Sequence, residues 1–139
     1  SSIDLKFDSL DINILPLICY EIIFPNLVDT NNKFNSIINI SEDAWFGKSI
    51  GPYQHSAKAV FRAIESRVYI IRAANMGVSA FISSEGKILK NLQPNEIGNI
   101  ELEVPIIEEN KKVFKKDLIF LSLLITYIFT FFILRKLKI

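Results

Sequence analysis

One cysteine, Cys19, serves a chain of 139 residues. No internal disulfide can form, and no CxxC or Cys/His cluster suggests zinc. A lone cysteine leaves the redox compartment open. His55 is the only histidine, which argues against a metal site. Neither metal nor cofactor is expected. Sixteen Lys and Arg stand against fifteen Asp and Glu, for a net charge of +1. That balance gives no basic field to attract nucleic acid. Residues 1–15 carry Asp4, Asp8 and Asp11 and no basic stretch leading into an apolar run, so they do not read as a signal peptide. The chain starts at Ser1, and a fragment or processed product of a longer protein is expected.

Apolar residues, by contrast, are abundant. They make up 50% of the chain, and the excess lies in the last quarter. "LIFLSLLITYIFTFFIL", 118–134, has no charge over seventeen residues. As a helix it spans about 26 Å, slightly less than a ~30 Å hydrocarbon core. Lys115, Lys116, Arg135, Lys136 and Lys138 flank it and can snorkel to close the gap. It is apolar all round, as a membrane helix is. Basic residues lie on both sides and leave its orientation open. "IEENKKVFKKD", 107–117, reads as a solvated charged connector, and 135–139 as a basic tail.

Residues 1–106 read as one domain of alternating strands and helices. "INILPLICY" is a strand candidate, followed by a helix that starts at Pro25 and runs through Leu27 and Val28. "FNSIINISE", 34–42, is a second strand. A loop over 43–53 and a helix over 54–67 follow, with Ala57, Val60, Phe61, Ile64 and Val68 as its apolar stripe. Arg62 and Glu65 are expected to form an ordinary surface pair. "VYIIRAA" is a third strand, and 77–83 and 87–92 flank a turn at Ser84-Glu85-Gly86. "GNIELEVP", 98–105, alternates and reads as an edge strand. This order gives an α/β layered domain with part of it absent.

Residue chemistry alone leaves Cys19 ambiguous. At a strand end before a helix, a thiol can be activated and act as an acyl-accepting nucleophile. The Tyr20 N–H would then help to hold an oxyanion, and Glu21 would fix the loop. Yet a lone cysteine in an apolar strand is commonly inert filler. A Cys19/His55 dyad is one option, but a histidine packed beneath the Gly-rich loop is the simpler one. Trp45 and Phe46, in "DAWFG", pack on the domain, line a pocket or meet lipid.

"ICYEIIFP" resembles the nucleophile segment of the nitrilase (carbon–nitrogen hydrolase) superfamily. "SEDAWFGKSIGPYQH", 41–55, and "AVFRAIESRVYIIRAANMGVSAFISSEGKI", 59–88, resemble its membrane-embedded apolipoprotein N-acyltransferase family. The resemblance implies a nitrilase-like α-β-β-α layered domain, of which this chain carries the C-terminal part, followed by one transmembrane helix. It implies a periplasmic domain, a cytoplasmic tail and a multi-pass protein of the bacterial inner membrane. The implied reaction moves a fatty acyl chain from a phospholipid donor, through a Cys thioester, to the amine of a diacylglyceryl apolipoprotein acceptor. Cys19 matches the nucleophile, Glu21 a supporting carboxylate, and Tyr20 a backbone donor. Trp45 and Phe46 match the loop that meets acyl chain or substrate.

One departure stands out. The superfamily's Glu base and its Lys precede the Cys strand, whereas residues 1–18 hold no Glu, and Lys6 lies in no matching motif. The chain alone is therefore expected to be inactive. A membrane-tethered amidase, or a non-catalytic remnant, are the alternatives.

Overall fold

The computed structural model describes residues 3–7, 10–28, 34–105 and 116–136. Its elements are β1 (Ile3–Phe7), β2 (Leu10–Ile18), β3 (Ser36–Glu42), α1 (Gly51–Ser66), β4 (Tyr69–Asn75), β5 (Ser79–Ile82), β6 (Ile88–Leu92) and α2 (Lys116–Lys136). The strands form one sheet in chain order, β1 to β6. β2, β3 and β4 run parallel, and the outer pairings are antiparallel.

Strand register builds the interior in rungs. Leu15, Ile37, Ile70 and Ile82 lie side by side across β2 to β5, all buried. Each such side chain contributes about 1.5–3 kcal/mol by leaving water. The next rung on that face is Leu17, Asn39, Arg72 and Ala80, also buried. Its centre is polar. An apolar floor therefore supports a polar layer one rung nearer the carboxyl ends of the parallel strands. That end of an open α/β sheet is where ligand sites gather.

α1 starts at Gly51, not at residue 54, because Pro52 fits the first helical turn, where no N–H is needed. The helix ends where Arg67 turns left-handed, at φ +56°. Its buried face is Ser56, Ala59, Arg62 and Ala63, while Phe61 and Ile64 are exposed and Val60 half-buried. Small residues let the helix lie close to the sheet; of the expected stripe, Val60 packs against the core and Val68, just past the helix, is buried, while Ala57, Phe61 and Ile64 are exposed. Arg62 does pair with Glu65, but the Arg62 side chain is buried, so the pair is only half a surface one.

The helix expected from Pro25 is, in the described residues, a short 3-10 turn over Pro25–Leu27. β1 went unread. Segment 98–105 is not a strand. Its alternation is real, since Ile100, Leu102 and Val104 are half-buried between exposed neighbours, yet no ladder forms. The Lys90 ammonium donates to the Glu101 carbonyl and ties it to β6 (2.7 Å).

The hairpin of β5 and β6 forms as expected, with Gly86 at φ +83° in its turn. α2 includes one apolar window, Leu118–Lys136, with a mean hydropathy of 2.2 and no buried share. It is long and apolar enough to cross a membrane. The charged connector lies largely outside the described residues, as do the last three residues of the tail.

Candidate active site

β2 ends at Ile18, and Cys19 opens a 3-10 turn over Cys19–Ile23. Its φ is +48°, in the left-handed region that a residue with a Cβ enters at a cost of roughly 1–2 kcal/mol. Such a corner turns the thiol out of the strand line. Ile22, fully buried, anchors the turn in the core. The Glu21 carboxylate reaches back to accept from the Ile18 N–H (2.7 Å), which closes the corner. Glu21 thus supports the shape of the Cys19 turn.

A buried polar network lies beneath the thiol. The Arg72 guanidinium donates to the Asp43 Oδ2 (2.7 Å), to the Val78 carbonyl (3.2 Å) and to the Asn39 Oδ1. The Asn39 amide nitrogen then donates to the carbonyls of Leu17 (3.0 Å) and Cys19 (3.3 Å). Only this amide orientation satisfies every partner. The other Asp43 oxygen, Oδ1, accepts from the Ser41 hydroxyl (2.7 Å) and from the His55 Nδ1 (2.8 Å). A carboxylate can only accept, so Nδ1 carries the proton. The Ser41 Oγ also lies 3.7 Å from the Cys19 Sγ, and the Glu42 carbonyl lies 3.9 Å from it.

Electrostatics follow from this geometry. Burial pushes the Asp43 carboxyl up, but the bonds from Ser41 and His55 and the Arg72 charge outweigh it and hold it below the usual range. Burial pulls Arg72 below its ordinary value, while Asp43 and a Cys19 thiolate oppose that. The exposed Glu42 carboxyl is lowered by bonds from the Asn75 amide (2.9 Å) and the Ala44 N–H (2.9 Å).

A depressed Asp43 contributes stability that is present above the ordinary carboxyl value of 3.8 and is lost as pH falls through its lower folded value. Ser41→Ala removes one of the lowering bonds. The acid unfolding midpoint, followed by near-UV circular dichroism, is expected to move to higher pH in that variant. An unmoved midpoint would contradict the assignment.

The aromatic pair divides its work. Phe46 is half-buried, with its ring 5.9 Å from the His55 ring, and Trp45 stacks on it from outside (4.0 Å) with 65% exposure. Phe46 is thus packing, and Trp45 offers a free face. Tyr20, 47% exposed, lies 5.4 Å from the same imidazole. His55 therefore packs under the loop, as the simpler reading had it. Among the described residues no hydrogen bond joins it to Cys19, and its Nε2 is buried without a partner.

Sequence pattern does not single out Asn39, Ser41, Asp43 and Arg72. The available signal was polar residues at inward positions of apolar strands: Asn39 and Ser41 in "SIINISE", Arg72 in "YIIRAA".

The segment Asn75-Met76-Gly77-Val78-Ser79 serves the same place. Asn75 holds Glu42, and the Ser79 hydroxyl accepts from the Ala74 N–H (3.0 Å). A Cβ on Gly77 would overlap the Asp43 carboxylate and lie 2.8 Å from its Cβ. Gly77→Ala is expected to cost about 1–3 kcal/mol by displacing Asp43. Thermal unfolding tests this, and a change within about 0.5 kcal/mol would show that the carboxylate has room to move.

Residues 4–107 match the carbon–nitrogen hydrolase family model, and the chain belongs to that family. Among curated relatives it is 44% identical over 110 residues to the apolipoprotein N-acyltransferase of Rickettsia bellii, covering 78% of this chain. It is 52% identical over 95 residues to that of Rickettsia prowazekii, covering 68% of this chain. It spans about a fifth of the length of those relatives, 22% and 19%. A solved Saccharomyces cerevisiae member of the nitrilase superfamily superposes with a TM-score of 0.57 at 23% identity, over 70% of this chain and 38% of that one. An amidase of the same superfamily from Nesterenkonia superposes at 0.53 and 16% identity, over 68% of this chain and 38% of that one. These two likenesses establish the fold.

Proposed function

We propose that this chain is the nucleophile-bearing part of a lipoprotein N-acyltransferase, with Cys19 as the residue that carries the acyl group. Relatives of that name at 42–52% identity support the reading. Cys19 is the observation in this chain that carries it: its left-handed corner at the end of a parallel strand sets a half-buried thiol over a fixed polar layer.

In the first step the Cys19 sulfur attacks a phospholipid ester carbonyl. A C–S bond forms, the ester C–O bond breaks, and the lysophospholipid oxygen takes a proton. In the second step the amine of a diacylglyceryl apolipoprotein attacks the thioester. A C–N bond forms, the C–S bond breaks, and the amine proton passes to a base. That base and the superfamily's lysine are assigned to sequence outside these 139 residues. Glu21 fixes the turn, Tyr20 lends its N–H to the oxyanion, and Trp45 meets the acyl chain, with Phe46 supporting it. Residues 1–106 form the catalytic portion and 107–117 a linker. Residues 118–134 cross the bacterial inner membrane, placing the domain in the periplasm and 135–139 in the cytoplasm.

The test uses the protein as its gene encodes it, in phospholipid with no acceptor. A hydroxylamine-labile acyl adduct on the Cys19 peptide, lost when a diacylglyceryl lipopeptide is added, is the expected result. No adduct in a folded protein would remove the proposal. An adduct discharged only to free fatty acid would point to a hydrolase.

A further inference from the structure

Arg72 touches neither solvent nor the thiol, yet every polar side chain below Cys19 leads to it. It is 2% exposed, and Asn39 and Asp43 are fully buried. One line runs from Arg72 to the Asn39 Oδ1, and from the Asn39 amide to the Cys19 carbonyl (3.3 Å). That bond holds the main chain of the residue whose φ is +48°. The other line runs through Asp43 (2.7 Å) and the Ser41 hydroxyl (2.7 Å) to the Cys19 sulfur (3.7 Å).

We propose that Arg72 is a positioning residue for Cys19, acting through Asn39 on its main chain and through Asp43 and Ser41 on its thiol. The proposal rests on the reading of Cys19 as the nucleophile. The Ser41 hydroxyl has one proton and two neighbours. Given to Asp43, that proton leaves a lone pair for a thiol S–H; given to the sulfur, it meets a thiolate and the bond to Asp43 is given up. The sulfur therefore keeps a partner before and after it loses its proton. Asn39 meanwhile opposes relaxation of the left-handed corner, so the sulfur stays where it is aimed. A nucleophile misplaced by about 1 Å loses rate on the order of a hundredfold.

Removing Arg72 outright endangers the fold, so the test acts on the two lines separately, in the gene-encoded protein in phospholipid. Asn39→Asp keeps the oxygen that faces Arg72 and puts an acceptor where the Cys19 carbonyl needs a donor. It is introduced beside Cys19→Ala and beside Cys19→Gly, and amide hydrogen exchange is read over residues 17–24. Glycine takes a left-handed φ freely and needs no hold. The loss of protection is expected to be about fivefold larger beside Cys19→Ala. An equal loss in both would overturn the main-chain line. Folding only beside Cys19→Gly would support it.

With Cys19 intact, Ser41→Ala is expected to slow acyl-adduct formation about tenfold, and Ser41→Thr to restore it to within about threefold. An unchanged rate in Ser41→Ala would overturn the thiol line, and this pair decides if Asn39→Asp folds in neither background. If the unmodified protein forms no adduct, the acyltransferase reading fails, while the exchange experiment, which needs no thiol at position 19, still decides whether Asn39 holds the main chain there.

Discussion

Arg72→Ala is expected to lose about 3–5 kcal/mol of stability, enough to leave much of the domain unfolded. The Arg72 and Asp43 side chains are fully buried, with their charges 2.7 Å apart. Taking away the cation strands a carboxylate inside the protein and also unpairs the Asn39 oxygen and the Val78 carbonyl. Replacing both charges tells these costs apart. Arg72→Met with Asp43→Leu leaves no buried ion but takes the acceptor from the Ser41 hydroxyl and the His55 Nδ1–H, so the double variant is expected to recover only part of the loss while acyl transfer stays low. Unfolding midpoints of the single and double variants, with circular dichroism to check the fold, provide the measurement. A single variant within about 1 kcal/mol of the parent would mean that water or a nearby group compensates for the missing guanidinium.

The rungs of the sheet explain which parts of this molecule were legible in its sequence. β3, β4 and the β5–β6 hairpin follow from apolar runs and a Ser-Glu-Gly turn, because local pattern decides them. The apolar length of α2 is equally local. The face of α1 was legible only in part, through Val60 and Val68. Periodicity favoured Phe61 and Ile64, but close approach to the sheet selected Ala59 and Ala63 instead. Segment 98–105 failed as a strand for a related reason: alternation reports two-sidedness, and a ladder partner is a tertiary fact.

The candidate site divides the same way. Cys19 stood out as the only thiol, and the resemblance around it gave it a role. Its polar support is spread over β3, the loop after it, α1 and β4, up to 33 residues apart in sequence. Each member alone reads as an ordinary strand or loop residue. Parallel register brings Asn39 beside Arg72, and helix α1 brings His55 onto Asp43. No single-sequence spacing rule joins those positions.

With Cys19 as the nucleophile of the acyltransferase proposed above, Cys19→Ala is expected to reduce lipoprotein N-acylation by about 10⁴-fold or more, in the manner of a lost covalent nucleophile. The nearest replacement is the Ser41 hydroxyl, 3.7 Å from the sulfur. It is poorly placed to take over. Ser41 is 6% exposed and lies below the corner, so a bulky ester cannot reach it. Its proton acceptor is Asp43, whose carboxyl is held below the usual range and is correspondingly a weak base. Cys19→Ser keeps the corner and the neighbours but swaps a thiol for a hydroxyl of much higher pKa, and its loss is expected to be nearly as large. The acyl-adduct assay and transfer to a diacylglyceryl lipopeptide, run on folded protein, measure both variants. Retention of more than about one percent of the parent rate in Cys19→Ala would mean that the acyl chain travels by direct attack of the amine on the phospholipid. Cys19 would then be a corner residue whose left-handed backbone shapes the site without entering the chemistry.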